Sequence, residues 1–466
     1  MKRSWWYRFV FLLVVASISA LMVIPTALNF NEETSFPFKS KINLGLDLQG
    51  GLYMILGIDF NRVYLDEAKN YGRKISDILT DEGIKNEVGS IDKTLADDPR
   101  TEILLQSETD LEKAKEKVRS FFGSYLRLTN EGGNKLQYGL SKVNKTEIET
   151  QAVSKSIEVI RNRIDEFGVT EPEIISQGND RIIIQLPGVK DIDRAKELIG
   201  KTAKLSFNIV NDNIGAATLN GWVKKAEAAG IVYKKGQRFS DYLTDMNDHL
   251  AKELPKGFQL AFEKKVSKLT NELESKIPYL VESVSKLSGD GLQDARVQID
   301  QQKNEPYVSL TFKSAGAKLF EQLTGENVGK RMAIVLDGNV YSAPVIQTKI
   351  GGGRAQITLG SGGFNRVLKE ARDLALVLRA GALPVQLDFL EQRTVGPSLG
   401  EDSIIKARYA AIIGSILVFL FILIYYRISG SIAMVTLSLN ILFILACLVG
   451  LEATLTLPGI AGIALT

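Results

Sequence analysis

Long apolar runs near both ends of the chain predict membrane-spanning helices. The first covers residues 7–26, and two more, at 407–426 and 431–450, are joined by the short turn RISG. A run of about 20 residues, rising 1.5 Å per residue, crosses a bilayer core of roughly 30 Å. The first run is longer than the ~7–15 apolar residues of a cleaved signal peptide, which favours a retained anchor.

A fourth apolar run begins at Leu455 and continues to the last residue, Thr466. It is shorter than the ~20 residues that a membrane helix needs. We therefore expect the sequence to stop inside a fourth membrane helix.

Charges beside the apolar runs predict the orientation in the membrane. Lys2 and Arg3 precede the first run, and positive residues favour the cytoplasmic side. The N-terminus is therefore predicted to be cytoplasmic and the long segment after the first run external. The short turn that contains Arg427 then returns to the cytoplasm.

Between the membrane runs, short alternating patterns and helical patterns predict a mixed α/β domain. The strand GLYMILGID is followed later by the helix QAVSKSIEVIRNRIDEFG, which ends at Gly168, and by two strands separated by the turn residues 178–180. A helix beginning at Asp191 and ending on Gly200, and a last strand KLSFNIV, complete the order β-α-β-β-α-β. We therefore expect a ferredoxin-like fold in this part.

Residues between the first strand and its helix partly repeat this pattern. DEGIKNEVGSI, TEILLQS and ETDLEKAKEKVRSFFG run parallel to DEFGVTEPEIISQ, RIIIQLPG and DIDRAKELIG. This predicts an internal duplication, with chance recurrence of α+β hairpin patterns as the alternative. Residues 211–285, including AFEKKVSKLTNELESKI, predict a solvated helical insertion, and strands and helices from Ala295 onward predict a second compact α+β unit.

Charge and composition exclude several classes of protein. Lys plus Arg (57) nearly balances Asp plus Glu (54), with both signs interspersed, whereas nucleic-acid binding needs a concentrated basic face. The single cysteine, Cys447, excludes a disulfide framework. It lies far from the single histidine, His249. Most metal sites and most sites with a Cys or His nucleophile are therefore excluded.

Motifs that resemble enzyme sites have simpler explanations. GENVGKR has one residue too few for a phosphate loop, lacks its Ser or Thr and precedes a strand, and GGGRAQ lies between strands where a turn suffices. Asp47 and Asp59 lie at opposite ends of one strand, so they are too far apart to act as a catalytic pair. Within 403–466 the only acidic residue is Glu452, near the outer membrane face, so no carboxylate occupies the mid-membrane region. We predict no enzyme activity, no catalytic or metal-binding residue and no cofactor.

Seven motifs together carry a resemblance to a known family. They are LGLDLQGG, VIRNRIDEFGVTEPEI, RIIIQLPGV, GKRMAIVLDGNVYSAPVI, GGRAQI, LALVLRAGALP and EQRTVGPSLG. In this order, from Lys41 to Thr466 and apart from the helical insertion, the chain resembles SecD. This family of protein-export membrane proteins belongs with SecF and shares its architecture with the RND transporters.

The resemblance implies a multi-pass protein of the bacterial inner membrane with its large domain in the periplasm. SecF, the SecYEG channel, unfolded preproteins and membrane lipid are the implied partners, and nucleic acid is not one. SecD proteins use the proton-motive force to help complete preprotein export on the outer side. The family's proton-relay Asp lies beyond Thr466, so we assign no proton-relay residue.

The resemblance and the patterns together divide the chain into five parts. They are the cytoplasmic N-terminus with the first membrane helix (1–28), a periplasmic base (29–204), a mobile periplasmic head (205–384) that contains the insertion 211–285, a return to the base and membrane (385–405), and membrane helices two, three and the start of four (406–466).

We predict a rigid coupling joint where the first membrane helix leads into the base. Glycines at the strand entry permit positive φ or close backbone approach, and Asp47 and Gln49 are expected to satisfy exposed backbone groups. RTVGPSLG is the predicted counterpart on the return, with its proline fixing the chain before the second span. The joint residues are Gly45, Asp47, Gln49, Gly50, Gly51, Pro397 and Gly400.

The head is expected to capture an unfolded chain through generic features. The strands YVSLTF and RAQITLG offer a sheet edge, and Leu319, Phe320 and Leu323 offer apolar contacts, with a role in the core as the alternative. Hinges for head motion are predicted at 210–216 and from Gly381 to Pro384.

Two other functions remain open at this stage. One is a proton-driven small-solute exporter of the RND type, and the other is a membrane-anchored periplasmic binding module without a transport role. Copurification with a SecYEG-type channel distinguishes both from the export function.

Overall fold

The computed structural model describes residues 3–28, 42–169, 172–234, 237–266, 273–302, 304–359, 363–395, 397–451 and 453–465. Lys2, Glu452 and the start of the predicted base at 29–41 lie outside the described residues. The chain begins with helix α1 (Arg3–Ala27), strand β1 (Asn43–Leu44), the one-turn helix α2 (Leu46–Gln49) and strand β2 (Gly51–Ile58).

A small α/β unit follows β2. It comprises α3 (Phe60–Asp81), β3 (Asn86–Asp92), β4 (Arg100–Leu105), α4 (Leu111–Phe122), β5 (Leu126–Gly132) and β6 (Lys135–Leu140). Its four strands form an antiparallel sheet in the order β3-β4-β6-β5. Alternate residues of β4 are buried, and they pack with α3 and α4 around one hydrophobic core. We call this the second α/β unit.

The base continues with α5 (Lys142–Phe167), β7 (Glu173–Gln177), β8 (Arg181–Pro187) and α6 (Ile192–Gly200). Helix α5 begins earlier than predicted, where Ser141 Oγ accepts a hydrogen bond from the N–H of Asn144 at 3.1 Å, and ends as predicted at Gly168, with φ of 83°. The predicted cap of α6 is also confirmed, because Asp191 accepts from the N–H of Arg194 at 3.1 Å.

The head contains two sheets packed around a shared core. Its elements are β9 (Leu205–Ile209), α7 (Ala216–Ala228), α8 (Phe239–Leu250), β10 (Phe258–Val266), β11 (Leu273–Glu282), β12 (Leu287–Ser288), β13 (Leu292–Asp300), β14 (Glu305–Phe312), α9 (Ser314–Glu326), β15 (Met332–Leu336), β16 (Asn339–Ser342), β17 (Arg354–Thr358) and α10 (Phe364–Ala380). One sheet has six strands in the order β11-β10-β16-β15-β9-β12, and the other has three in the order β13-β14-β17.

The predicted all-helical insertion is wrong in its second half. Helices α7 and α8 are present, but β10 and β11 form a long antiparallel hairpin that begins with Phe258 opposite Glu282. Leu260 and Phe262 pack against α7 and α8, while Ala261 faces a second apolar cluster. Because β10 is buried on both sides, its packing outweighs the helix propensity of the Lys- and Glu-rich sequence.

The strand that closes the base sheet comes after the head. Strand β18 (Leu387–Val395) pairs with β2, giving the antiparallel order β18-β2-β8-β7. The predicted β-α-β-β-α-β order therefore holds, but KLSFNIV is not its last strand. Strand β9 pairs with β15 and β12 instead, because Leu205, Phe207 and Ile209 pack in the head core.

The second α/β unit has the same arrangement with its first strand moved to the end. Strands β3 and β4, helix α4 and strand β5 occupy the places of β7, β8, α6 and β18, and β6 occupies the place of β2. The shared sheet order is compatible with the internal duplication, which stays a prediction, and the moved strand is a difference between the two units.

Three helices follow the base. They are α11 (Pro397–Tyr426), α12 (Ile428–Gly450) and, after strand β19 (Thr454–Leu455), α13 (Leu457–Leu465). Helix α12 packs against both α1 and α11. In the described part of the chain, Trp6–Thr26 and Ile428–Gly450 are long and apolar enough to cross a membrane, and the apolar part of α11, Ile412–Tyr426, is shorter.

Candidate functional site

The predicted joint connects the base to the helices at the C-terminal end. Strand β1 pairs in parallel with β19, and the N–H of Gly45 donates to the carbonyl oxygen of Leu455 at 2.9 Å. A Cβ added at Gly45 would lie 2.9 Å from Cγ2 of Thr456. Helix α2 buries Leu46 and Leu48 and contacts α11. This short segment therefore contacts two C-terminal elements, β19 and α11, before entering the base sheet.

Both glycines at the strand entry adopt positive φ, as predicted. Gly50 has φ of 69° with ψ of −175°, a conformation that is essentially restricted to glycine. Gly51 has φ of 136°, and a Cβ there would lie 2.1 Å from the carbonyl oxygen of Leu186 on β8. The carbonyl oxygen of Gly50 accepts from the N–H of Gly188 at 2.9 Å. The joint is thus bonded directly to the base backbone.

The polar joint residues Asp47 and Gln49 are exposed. Their role at backbone groups stays a prediction. On the return, Pro397 is the first residue of α11 and Gly400 lies in its first turn, so β18 leads into a helix rather than into a linker.

The chain crosses between base and head at two adjacent segments. It leaves the base at 201–204, between α6 and β9, and returns between α10 and β18, where Gly381 has φ of 99° and Pro384 is exposed. The second predicted hinge thus lies on a crossing. The first, at 210–216, does not, because Val210 is buried in the head and its N–H donates to the carbonyl oxygen of Arg331 at 2.9 Å.

Two charged side chains at the crossings were missed by sequence reasoning. Arg163 is fully buried in the base, and Asp337 lies in the head turn between β15 and β16. Burial lowers the pKa of Arg163 to about 10, with a smaller opposing effect from the negative charge of Asp337. A signal for Arg163 existed, since it lies three residues after Ile160 on the apolar face of α5.

The predicted apolar contact surface on α9 is not an open surface. Phe320 and Leu323 are 1% and 3% exposed and pack in the head core, whereas Leu319 is 47% exposed. The predicted contact role is therefore wrong for Phe320 and Leu323, which are core residues. Of the two proposed edge strands, β14 lies in the middle of its sheet and β17 lies at the edge.

A cavity of about 830 Å³ lies on one face of the three-stranded sheet. Residues of β14 alternate, so that Val308 and Leu310 pack toward the core while Ser309 and Thr311 line the cavity. Helix α10 packs against β13 and β14. The cavity has polar walls and an apolar inner end, and its lining includes Arg296, Gln298, Tyr307, Phe320, Met332, Ile334, Arg354 and Gln356.

No metal-binding site is seen in the part of the chain that the structure describes. Among those residues, no group of three or more His, Cys, Asp and Glu side chains is placed to hold a metal ion.

Two protein-family models match the chain. Residues 153–212 match the model described as protein translocase subunit SecDF, P1 domain, N-terminal, and residues 264–385 match SecDF, P1 head subdomain. The SecD subunit of Calditerrivibrio nitroreducens is 40% identical over 460 residues, which are 96% of this chain and 79% of the relative. The chain belongs to the SecD family of protein translocase subunits.

Other SecD proteins match over similar lengths. The SecD subunit of Syntrophobacter fumaroxidans is 40% identical over 468 residues, which are 99% of this chain and 80% of that protein. The SecD subunit of Desulfurispirillum indicum is 39% identical over 454 residues, 96% of this chain and 79% of the relative. This chain is therefore a protein-transport component of the SecD type.

Solved SecDF structures also match. The crystal structure of SecDF in super-membrane-facing form is 30% identical with a TM-score of 0.42, covering 97% of this chain and 44% of that one. A second, from work on SecDF as a membrane component that enhances protein export, is 36% identical with a TM-score of 0.35, covering 52% of this chain and 93% of that one. The chain thus spans less than half of the first SecDF chain.

Proposed function

We propose that the chain works in the bacterial inner membrane with SecF and the SecYEG channel, and that its periplasmic head binds unfolded preprotein as it emerges. The observation that carries this proposal is the head cavity beside the edge strand β17. The proton-motive force is the proposed energy source, and no catalytic reaction is assigned to the chain.

The shape of the cavity suits an extended chain of variable sequence. Strand β17 pairs with β14 on one side, and within the described residues no strand pairs with its other side. A preprotein segment added there would gain backbone hydrogen bonds that do not depend on its sequence. Its alternate side chains would point toward the polar walls and apolar inner end of the cavity. Binding should be weak, because a disordered ligand loses conformational entropy when it is ordered.

The joint connects the base, and through it the head, to the C-terminal helices. Gly45 contacts Leu455 of β19 and Thr456, which precedes α13. On the other side, Gly51 pairs with β8 of the base and Gly50 is bonded to Gly188, which follows β8. We propose that movement of the membrane helices reaches the base through this segment and through Pro397 and Gly400 at the start of α11. The hinge role of Gly381 and Pro384 belongs to the same proposal.

Site-specific photo-crosslinking tests capture by the head. A photoreactive amino acid at Ser309, inside the cavity, or at Gln356, on β17, is expected to crosslink a preprotein arrested late in export. Leu319, the exposed residue of α9, is a third position. The matched control is Lys369, which is exposed on α10.

The result is read from the pattern of crosslinks. Crosslinks at Ser309 and Gln356 without one at Lys369 support capture in the cavity. Equal crosslinking at all positions, or crosslinking at Leu319 alone, contradicts it. Copurification with a SecYEG-type channel separates export from the alternative of a small-solute exporter or a simple binding module.

Thiol labelling tests the proposed orientation. After Cys447 is replaced by serine, a cysteine at Gln301, next to Asp300, should react with a membrane-impermeant reagent from the outside, whereas one at Ser429 should not. The reason is that positive charge holds the turn at Arg427 in the cytoplasm. Labelling at 429 but not at 301 would reverse the proposed topology.

A further inference from the structure

The two crossings between base and head lie side by side and are bonded to each other. The N–H of Leu383, on the return crossing, donates to the carbonyl oxygen of Thr202, on the outgoing one, at 2.9 Å. Both crossings contain a residue with positive φ, Ala203 at 57° and Gly381 at 99°. The connection between base and head is therefore a compact structure rather than two loose linkers.

From the base side, Arg163 of α5 binds both crossings at once. One terminal nitrogen of its guanidinium donates to the carbonyl oxygens of Leu198 at 2.9 Å and Ile199 at 3.2 Å, at the end of α6, and also to that of Lys201. The other donates to Thr202 at 3.4 Å and to Gly381 at 3.0 Å. A single planar guanidinium thus spans the end of α6 and the two crossings.

From the head side, Asp337 binds the outgoing crossing. Its Oδ1 accepts from the hydroxyl of Thr202 at 2.7 Å and from the N–H of Lys204 at 2.9 Å, and its Oδ2 accepts from the N–H of Ala203 at 3.0 Å. Asp337 itself has φ of 50° in the β15–β16 turn. These bonds satisfy the backbone N–H groups of Ala203 and Lys204 and hold Ala203 in its strained, positive-φ conformation.

We infer that Arg163 and Asp337 are positioning residues that set the orientation of the head on the base. They bind the same crossing from opposite sides, and Arg163 also fixes the return crossing. We call Arg163, Asp337, 201–204 and Gly381 the pivot. The inference rests on the part of the proposed function in which the head moves, but it involves no preprotein.

Away from the pivot, base and head contact each other in two further ways. Helices α5 and α10 pack together, with Arg194 of α6 bound to the buried Asp373 of α10 at 2.7 Å. The head insertion faces the second α/β unit through ion pairs, in which Arg62 binds Asp241 at 2.5 Å and Lys256 binds Glu87 at 2.9 Å. The side chains of the second pair are 93% and 63% exposed. Exposed pairs contribute little and are screened by salt, whereas hydrogen bonds to buried backbone carbonyls are costly to leave unmade. These peripheral ion pairs are therefore expected to break easily, so that the bonds of the pivot are what favour the head orientation seen in the structure.

Distance measurement between spin labels tests the inference in the full chain. With Cys447 replaced by serine, labels at Gln177 of β7 and Lys318 of α9 report the distance between base and head by double electron–electron resonance. The variants are Arg163→Met and Arg163→Lys. Arg161→Met, an exposed arginine on the same helix, is the matched control.

We expect the control to keep the distance distribution of the parent chain. In Arg163→Met, a second head orientation, populated at about 0.1–10% when two states compete, should become the larger share. Arg163→Lys keeps the charge without the planar fork and should give an intermediate distribution. Secondary structure, followed by circular dichroism, should be retained.

An unchanged distribution in a folded Arg163→Met or Arg163→Lys chain would overturn the inference and leave Arg163 with a role in core stability only. If Arg163→Met does not accumulate as folded protein, the distance distribution of Arg163→Lys decides whether the inference holds. Asp337→Asn, which keeps the side-chain size but loses the charge, must shift the distribution in the same direction. If the base–head distances change as expected in the Arg163 and Asp337 variants but crosslinking in the cavity fails, the proposed capture is contradicted and the pivot is not.

Discussion

Replacing Gly51 with alanine is expected to destabilise the base severely. The added Cβ would lie 2.1 Å from the carbonyl oxygen of Leu186, and φ at this position is 136°. That oxygen belongs to the backbone of the central strand pair, so the overlap is relieved only by moving β2 away from β8. We expect the free energy of unfolding to fall by about 4–5 kcal/mol, the upper end of single-substitution effects. Thermal unfolding and the yield of folded protein measure the loss.

Gly178→Ala provides the matched control in the same sheet. Gly178 also has positive φ, 67°, but its added Cβ would meet only Oδ1 of Asp180 at 3.7 Å. Only the backbone strain remains there, about 1–2 kcal/mol. Equal melting temperatures for the Gly51 and Gly178 variants would show that close approach is not the reason for glycine at the joint.

Substitution of a third glycine, Gly45, tests coupling separately from folding. The added Cβ of Gly45 would meet the side chain of Thr456, which lies between β19 and α13 and outside the base sheet. Gly45→Ala is therefore expected to leave the base folded and to lower preprotein export. Normal export by this variant would remove Gly45 from the proposed joint.

The parts of the fold that depend on local chemistry were predictable from the sequence. Gly168 and Asp191 end and begin helices through backbone geometry and a side-chain cap within a few residues. Gly50 and Gly51 were expected to permit positive φ or close backbone approach at the strand entry, and both have positive φ. In each case the deciding interactions lie close in sequence or in the residue itself.

The parts that depend on distant pairing were not predictable. Strand β9 alternates with Leu205, Phe207 and Ile209 on one face, and this pattern does not tell which sheet the strand joins. The β10–β11 hairpin lies in a sequence with good helix propensity, and only its pairing and two-sided burial favour strands. The role of Arg163 depends on the carbonyl oxygen of Gly381, 218 residues away.

Replacing Asp98 with asparagine is expected to loosen the contact between the second α/β unit and helix α5. The carboxylate of Asp98 is buried and binds Arg127 of β5, Lys145 of α5 at 3.2 Å and Arg100 of β4 at 3.4 Å. Removing the negative partner leaves three cations close together. Broken buried ion pairs cost about 3–5 kcal/mol, and we expect about 3 kcal/mol because the side chain of Arg127 is half exposed.

Hydrogen exchange of the amides in β4, β5 and the first turn of α5 measures this loss locally. The matched control is Asp97→Asn. The Asp97 carbonyl oxygen accepts from Lys145 Nζ at 2.6 Å through the backbone, and that bond survives the substitution. Equal protection in the Asp98 and Asp97 variants would show that the ion pairs of Asp98 contribute nothing to stability.

The pH dependence of the same variant provides a second, independent test. Burial raises the pKa of Asp98, but hydrogen bonds from Arg127 and Lys145 and their charges outweigh it, so the pKa is held below its usual value. A carboxylate with a lowered folded pKa contributes stability that is present in full above the unfolded pKa of about 3.9 and is lost as pH falls through the folded pKa. The difference in protection between the parent chain and Asp98→Asn should therefore be constant from pH 7 to about pH 5 and shrink only in stronger acid. A difference that persists unchanged in acid strong enough to protonate Asp98 would assign the effect of the substitution to packing and not to the charge.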